Sequence, residues 1–215
     1  MMKELIYHLI HNSRVLNNPL VKSAFEAVDR ADFVPPAYQR EAYEDYPLPI
    51  GYGQTISQPT TVAFMLELLD PRPCQKILDL GSGSGWTTTL LANIVGEKGR
   101  VYGVELVPEL VEYGKKNLAK YGFKNAQIRQ ANQELGVPSE APFDRILVSA
   151  SADKLPQDLL RQLKDGGVMV IPIKDSIWRI EKLSREKLEK KEYKGFVFVP
   201  LIDRDTKLNS KNTPL

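Results

Sequence analysis

The central part of the chain alternates between short apolar runs and longer stretches whose apolar residues recur at helical spacing. The apolar runs predict five strands, at residues 77–80, 100–105, 126–130, 144–149 and 168–173. Predicted helices follow the first, second and fourth strands, at residues 87–95, 108–121 and 156–163. Strands that alternate with helices predict an α/β fold with a doubly wound, mostly parallel sheet. In such a sheet, ligands bind beyond the carboxyl ends of the strands.

The pattern before residue 70 differs and predicts a helical extension. Asn18 and Pro19 are typical of a helix start, and an apolar face follows at Leu20, Val21, Ala24, Phe25 and Val28. Pro59 begins a second predicted helix, for which Ser57 is a candidate cap. Between them, three prolines and two glycines in residues 42–59 predict a loop without regular structure.

The C-terminal part carries two further predicted strands, at residues 177–184 and 196–200. The mixed charges of residues 185–192 predict a solvated connection between them. Residues 203–215 are polar and predict a flexible tail. We therefore expect one domain over residues 1–202, with a helical region at 1–70 and the sheet at 76–202.

A glycine-rich turn follows the first strand of the predicted sheet and suggests a cofactor site. Asp79 and Leu80 lead into Gly81-Ser82-Gly83-Ser84-Gly85, and Glu105 ends the next strand about 20 residues later. Glycines let the backbone approach a ligand closely, and a carboxylate at that place can bind ribose hydroxyls. The pattern predicts a nucleoside-bearing cofactor. The alternative is a purely structural turn beside a solvated carboxylate.

The spacing of the glycines helps to identify the cofactor. A dinucleotide site requires G-x-G-x-x-G, whereas Trp86 occupies the third glycine position here. Asp79 would repel a pyrophosphate but attract the ammonium group of a methionine moiety. The pattern resembles the first two motifs of class I S-adenosylmethionine (SAM)-dependent methyltransferases. An NAD-linked dehydrogenase is a weaker alternative, because the predicted site offers no general acid or base.

The segment before Pro59 contains polar residues close to the start of a predicted helix. Gln54, Thr55 and Ser57 lie there, and a helix N-terminus favours anionic ligands. The segment could bind a substrate carboxylate, or Ser57 could simply cap its own helix. The chemistry alone leaves both interpretations open.

Several motifs together resemble the protein-L-isoaspartate (D-aspartate) O-methyltransferase family. The most specific is Gly53-Gln-Thr-Ile-Ser-Gln-Pro59, and the similarity extends in family order over roughly residues 20–202. Further matching stretches lie at residues 24–35, 42–45, 47–52, 77–85, 142–146, 162–172 and 196–201. The resemblance implies the class I methyltransferase sheet, with an added N-terminal helical extension and C-terminal strands. It also implies SAM as methyl donor, S-adenosylhomocysteine as product, and L-isoaspartyl or D-aspartyl residues of damaged proteins as acceptors.

The resemblance assigns roles to particular residues. Ser57 matches the active-site serine, and the expected substrate-binding residues are Gln54, Thr55, Ile56 and Ser57. The expected cofactor-binding residues are Asp79, Gly81, Ser82, Gly83, Gly85, Glu105, Leu106, Asn132 and Gln133. A carboxylate acceptor is already ionised at neutral pH and needs no general base, which agrees with a site without histidine.

One departure from the family pattern concerns the expected adenine contact. The family commonly has Gly-Asp-Gly where this chain has Ala131-Asn132-Gln133. Asn132 can accept a hydrogen bond from the adenine amino group but lacks the charge, so we expect cofactor binding weaker by about 1 kcal/mol. Two alternatives stay open: a family member with another acceptor, and a SAM-binding sensor without catalysis, which this departure favours.

The composition narrows the remaining classes of function. The 215 residues carry a net charge of +2, which implies neither a nucleic acid nor a membrane as partner. The single cysteine, Cys74, suggests a reducing compartment, and the two histidines, His8 and His11, form no metal-ligand pattern. The first residues lack the apolar core of a signal peptide. We expect a cytoplasmic protein, a monomer without a metal, that acts on damaged proteins.

Overall fold

The computed structural model describes residues 1–201, so the tail predicted at 203–215 lies outside the described residues. Within that range a seven-stranded sheet forms the centre of the molecule, in the order β5-β4-β3-β6-β7-β8-β9. Its strands are β3 (Lys76–Leu80), β4 (Arg100–Glu105), β5 (Ala126–Gln130), β6 (Phe143–Val148), β7 (Leu163–Ile173), β8 (Ser176–Lys182) and β9 (Leu188–Lys194).

The first five strands of this sheet are parallel, β8 pairs antiparallel with β7, and β9 pairs antiparallel with β8. Strand β3 lies between β4 and β6. The chain adds β4 and β5 on one side of β3, and then adds β6 and β7 on the other side. This reversal creates a crevice at the carboxyl ends of β3, β4 and β6, where open α/β sheets bind ligands. The predicted doubly wound, mostly parallel sheet with a helical N-terminal extension and C-terminal strands is confirmed.

Six α-helices within the described residues surround the sheet and form the N-terminal extension. They are α1 (Met2–Tyr7), α2 (Pro19–Ala27), α3 (Pro59–Leu69), α4 (Trp86–Val95), α5 (Pro108–Ala119) and α6 (Gln157–Gln162). Short π- and 3₁₀-helical turns also occur, at His8–Asn12, Arg30–Phe33, Pro36–Glu41 and Pro138–Glu140. Asn18 caps α2 as predicted, since its side chain accepts a hydrogen bond from the Leu20 N–H. Leu20 was predicted to lie on the apolar face of α2, but it is exposed.

Alternate residues of each central strand face two different hydrophobic cores. On β3, Ile77 packs with α2, α3 and α4, whereas Leu78 and Leu80 pack on the opposite face of the sheet with α6. This alternation follows from the two-residue period of a strand. It also places Asp79 on the same face as Ile77, beneath the first turn of α4.

Three local predictions were wrong. Residues 42–59 contain a small hairpin, β1 (Leu48–Gly51) and β2 (Gln54–Ile56). Its two-residue turn holds Tyr52 and Gly53 at positive φ, which suits a hairpin. The prolines and glycines therefore shape a regular element here instead of preventing one.

The other two differences lie after residue 160. Strand β7 begins at Leu163 and not at residue 168 as predicted, and the residues around Gly166 and Gly167 form a bulge within it. The charged run contributes most of β9, whereas residues 196–200 form only an isolated bridge at Pro200. Strand β9 lies at the edge of the sheet, and an edge strand tolerates charged side chains.

Candidate cofactor and acceptor site

A cavity of about 1480 Å³ opens at the carboxyl ends of β3, β4 and β6. Two segments that are distant in sequence line it together. We call residues 81–85 the glycine loop and residues 42–57 the acceptor segment. Most of the predicted site residues line this cavity: Gln54, Thr55, Ile56, Ser57, Gly81, Ser82, Gly83, Glu105, Leu106, Asn132 and Gln133. Asp79 and Gly85 do not.

The glycine loop is held by hydrogen bonds of its own backbone. The N–H groups of Gly81 and Ser82 both donate to the Val104 carbonyl, at 2.8 and 3.0 Å. Gly81, Gly83 and Gly85 all have positive φ, so a side chain at any of them would strain the turn. The loop therefore presents bare backbone to the cavity, which suits a ligand that must approach closely.

Glu105 braces the glycine loop from the end of β4. One carboxylate oxygen accepts the Gly83 N–H at 2.8 Å, and the other accepts the N–H groups of Leu106 and Val107 at 2.7 and 2.9 Å. Glu105 is buried yet lines the cavity. The carboxylate thus has fixed geometry in a position where it can also accept hydroxyl groups of a ligand.

Asp79 lies beneath the loop and has no access to solvent. Its Oδ2 accepts hydrogen bonds from the hydroxyls of Thr87 and Thr88, at 2.7 and 2.6 Å. Its Oδ1 has no hydrogen-bond partner among the described residues. Burial raises the pKa of Asp79 to about 6, although the threonine hydroxyls oppose the shift. Because the carboxylate does not reach the cavity, it acts on a ligand there through its field and through the loop it supports.

Helix α5 supplies contacts to the glycine loop that the sequence analysis missed. A Cβ on Gly85 would lie 3.0 Å from the Gly114 carbonyl oxygen, and one on Gly114 would lie 3.1 Å from the Gly83 carbonyl oxygen. The buried Asn117 amide donates to the Ser84 carbonyl at 3.0 Å. Gly114 and Asn117 are three residues apart on one face of α5, and that spacing is the signal that could have identified them.

The acceptor segment brings hydroxyl groups to the same cavity. Thr55 is exposed, Ile56 is buried and Ser57 is half-buried, and all three line the cavity. The Ser57 hydroxyl makes no hydrogen bond within the described part of the chain, whereas the Ser57 carbonyl accepts from Arg30. The side chain is therefore available to a ligand.

Asp45, and not Ser57, caps helix α3. Its Oδ1 accepts the Thr60 N–H at 2.8 Å and its Oδ2 accepts the Thr60 hydroxyl at 2.7 Å. His8 Nε2 lies 3.2 Å from the same Oδ2. Burial raises the pKa of Asp45, but the hydrogen bonds from Thr60, Gln58 and His8 outweigh this effect and leave the pKa below its usual value. The interpretation of Ser57 as a helix cap is wrong.

The third wall of the cavity follows β5. Asn132 and Gln133 are exposed there, and the Asn132 side-chain oxygen accepts the Glu134 N–H at 2.8 Å. Ser149, at the carboxyl end of β6, also lines the cavity and was not predicted; a Cβ on Gly81 would lie 3.7 Å from its Cβ.

The donor set of the cavity fits a nucleoside with an amino-acid group. A glycine loop with open backbone and a braced carboxylate line the same space, and the basic side chains of its lining, Lys154, Arg161 and Lys190, lie outside the loop. Neither histidine of the chain lines the cavity.

The described residues contain no group of His, Cys, Asp or Glu side chains that could hold a metal ion. Within residues 1–201, no helix is long and apolar enough to cross a membrane.

Comparison with known proteins adds independent information. The family model described as protein-L-isoaspartate(D-aspartate) O-methyltransferase matches residues 1–206. The chain is similar to a protein-L-isoaspartate O-methyltransferase of Methanopyrus kandleri, with 45% identity over 86% of this chain and 84% of the relative. A relative of that name from Aeropyrum pernix is 44% identical over 90% of this chain and 76% of its own length.

Solved structures agree with these relatives. One protein-L-isoaspartate O-methyltransferase structure superposes with a TM-score of 0.86 at 26% identity, over 99% of this chain and 69% of its own. A second, a Plasmodium falciparum protein assigned as a beta-aspartate methyltransferase, superposes with a TM-score of 0.83 at 27% identity. It covers 94% of this chain and 98% of its own, and contains S-adenosyl-L-homocysteine.

Proposed function

The chain belongs to the protein-L-isoaspartate(D-aspartate) O-methyltransferase family, and from this premise we propose that it methylates the free carboxylate of L-isoaspartyl residues. The methyl donor is SAM, the product is S-adenosylhomocysteine, and the ester initiates repair of the damaged protein. One observation carries the proposal: the glycine loop, Glu105 and Ser57 line a single cavity.

The cofactor wall divides into three parts. Gly81, Ser82 and Gly83 offer backbone to the methionine portion, and Glu105 with Leu106 binds the ribose. Asn132 and Gln133 flank the adenine. Asp79 and Gly85 support the loop from beneath. When bound, SAM supplies a methyl group that its sulfonium has already activated.

The acceptor wall has only to hold and orient a carboxylate. The hydroxyls of Ser57 and Thr55 orient its oxygens, and Gln54 and Ile56 complete this part of the wall. A carboxylate with a pKa near 4 is ionised at neutral pH, so no general base is required. The absence of histidine from the cavity is consistent with this chemistry. Catalysis then depends on in-line placement and on partial desolvation of the reacting groups.

A transfer assay tests the proposal directly. The protein is incubated with methyl-labelled SAM and three matched peptides that carry L-isoaspartate, D-aspartate or normal L-aspartate at one position. We expect base-labile methyl ester on the isoaspartyl peptide and none on the normal one, while the D-aspartyl peptide shows whether that isomer is accepted. SAM binding without transfer to any peptide would favour the sensor, and transfer to a different group would favour another acceptor.

The variant Ser57→Ala tests whether Ser57 contributes to acceptor methylation without contributing to SAM binding. Loss of a hydrogen bond to a charged group costs about 1.5–3 kcal/mol, so we expect kcat/KM for the isoaspartyl peptide to fall roughly 10- to 100-fold. The dissociation constant for SAM, measured by calorimetry, should stay within about twofold. Ser23→Ala, at an exposed position on α2, is the matched control. An equal loss of turnover and SAM affinity would contradict the assignment of Ser57 to acceptor binding.

We further propose that the protein works as a monomer in the cytoplasm, with damaged proteins as its partners and without nucleic acid or membrane. The single cysteine supports a reducing compartment, and the net charge of +2 supports the absence of nucleic acid and membrane as partners. Light scattering should give a mass near 24.3 kDa. A mass twice as large would contradict the monomer, and recovery of the native protein with the membrane fraction would contradict the location.

A further inference from the structure

Arg30 is a buried cation that contacts the acceptor segment through backbone oxygens. It is 2% exposed and begins the 3₁₀ turn Arg30–Phe33. Its Nη1 donates to the carbonyls of Ala42 and Glu44, at 2.7 and 3.3 Å. Its Nη2 donates to those of Tyr46 and Ser57, both at 3.1 Å. These four bonds tie both ends of the acceptor segment to one guanidinium.

The same guanidinium contacts the helix that follows the glycine loop. Its central carbon lies 5.5 Å from the centre of the Trp86 ring, in a cation–π arrangement. Trp86 is the first residue of α4 and directly follows Gly85. Ser57 and Trp86 both line the cavity. One side chain therefore bridges the two walls.

The chemistry of this contact requires arginine. Burial lowers the pKa of Arg30 to about 10, which leaves the group protonated at neutral pH. Four backbone carbonyls and the indole face contact the buried guanidinium, and the charge of the nearby Asp45 carboxylate also favours the protonated form. A planar fork can serve four carbonyls and stack on a ring at once, whereas the compact ammonium of lysine cannot.

We propose that Arg30 is a positioning residue that fixes the acceptor segment relative to the glycine loop and thereby sets the distance between the acceptor carboxylate and the methyl group. The inference rests on the proposed function. Arg30 does not touch the reacting atoms; it acts through the Ser57 carbonyl and Trp86. Methyl transfer is sensitive to placement, so a shift of one wall should affect the chemistry more than cofactor binding.

The kinetic test compares Arg30→Met and Arg30→Lys with Arg145→Met. Arg145 is a suitable control, because it also donates to backbone carbonyls, of Leu69, Asp70 and Asp144, but does not line the cavity. We expect both Arg30 variants to lose at least tenfold in kcat/KM for the isoaspartyl peptide, with the SAM dissociation constant within about threefold. Arg145→Met should leave both quantities near wild type once the protein is folded.

Two further measurements keep the test decisive. Hydrogen exchange should accelerate in residues 42–57 of Arg30→Lys but not in residues 81–85, whether or not the variant is active. Guanidinium at millimolar concentration should partly restore kcat/KM to Arg30→Ala. Equal losses of SAM affinity and turnover, or the same kinetic pattern in Arg145→Met, would overturn the proposal. Unchanged exchange in residues 42–57 would do so as well. Failure of the wild-type protein to methylate the peptide would instead count against the proposed function, before any variant is compared.

Discussion

The glycine loop and the acceptor segment line the same cavity, yet they are held in place differently. The glycine loop is held by the following β/α unit, through Val104 and Glu105 of β4 and Asn117 of α5. The acceptor segment is held by Arg30, which precedes it in the chain, and by the hydrogen bond that Asp45 accepts from Thr60 of the following helix α3. The difference teaches that the two halves of the site can be disturbed separately, so cofactor binding and acceptor binding should respond to different mutations.

The largest expected effect concerns Asp79, the deepest group under the glycine loop. A carboxyl group whose pKa is raised in the folded protein contributes stability that is present below its unfolded pKa of 3.8 and is lost as the pH rises through about 6. Asparagine keeps the acceptor for Thr87 and Thr88 but does not titrate. Between about pH 4 and pH 7, the unfolding free energy of Asp79→Asn should therefore gain about 2–3 kcal/mol relative to wild type.

Urea titrations of both proteins across this pH range measure that change. A constant difference between them would show that Asp79 does not carry the raised pKa. The KM for the isoaspartyl peptide should remain near wild type, because the acceptor wall is not involved.

Glu105→Gln should weaken the cofactor wall alone. The amide can accept at only one atom, so its NH₂ group must face backbone N–H groups that now donate to a carboxylate oxygen. We expect a loss of about 2 kcal/mol in SAM binding, or roughly 30-fold in the dissociation constant by calorimetry. Glu109→Gln, at an exposed position in the first turn of α5, is the control. A change below threefold would contradict the assigned role of Glu105.

Asp45→Ala should produce the opposite pattern. Loss of the cap on α3 should lower the unfolding free energy by about 1–2 kcal/mol. Because the capped helix follows Ser57 directly, KM for the isoaspartyl peptide should rise while SAM affinity is retained. Glu44→Ala changes an exposed carboxylate of the same segment and should have neither effect. Equal effects of Asp45→Ala on both ligands would show that the two walls are not independent.

The smallest effect is expected from Asn132→Asp. The charged oxygen should strengthen a hydrogen bond from the adenine amino group, by about 1 kcal/mol or roughly fivefold in SAM affinity. Peptide KM should not change. Weaker SAM binding would instead indicate that Asn132 does not border the adenine.

The glycine loop has contacts that are local in the chain, whereas the contacts of the acceptor segment are distant, and this difference explains how much could be predicted from the sequence. Strands β4 and β5 were predicted at their observed bounds, and Glu105 was predicted beside the glycine loop, because apolar runs and glycines record contacts that are local in the chain. The hairpin at 48–56 was missed because its prolines and glycines are typical of loops as well as of tight hairpin turns. No sequence pattern indicated the role of Arg30, because its hydrogen-bond partners are backbone carbonyls 12 to 27 residues further along the chain. Asp45 was overlooked for a related reason: its partner Thr60 lies 15 residues further along the chain.

Strand β9 has a consequence for how the protein coexists with its own substrates. It forms one edge of the sheet, where unpaired backbone groups could recruit another extended chain. Its five exposed residues are all charged: Glu189, Lys190, Lys191, Glu192 and Lys194. Bringing a foreign strand alongside would crowd these charges and remove water from them, which opposes aggregation. An enzyme that methylates isoaspartyl residues of proteins thus offers these proteins a cavity, whereas its edge strand opposes pairing with them.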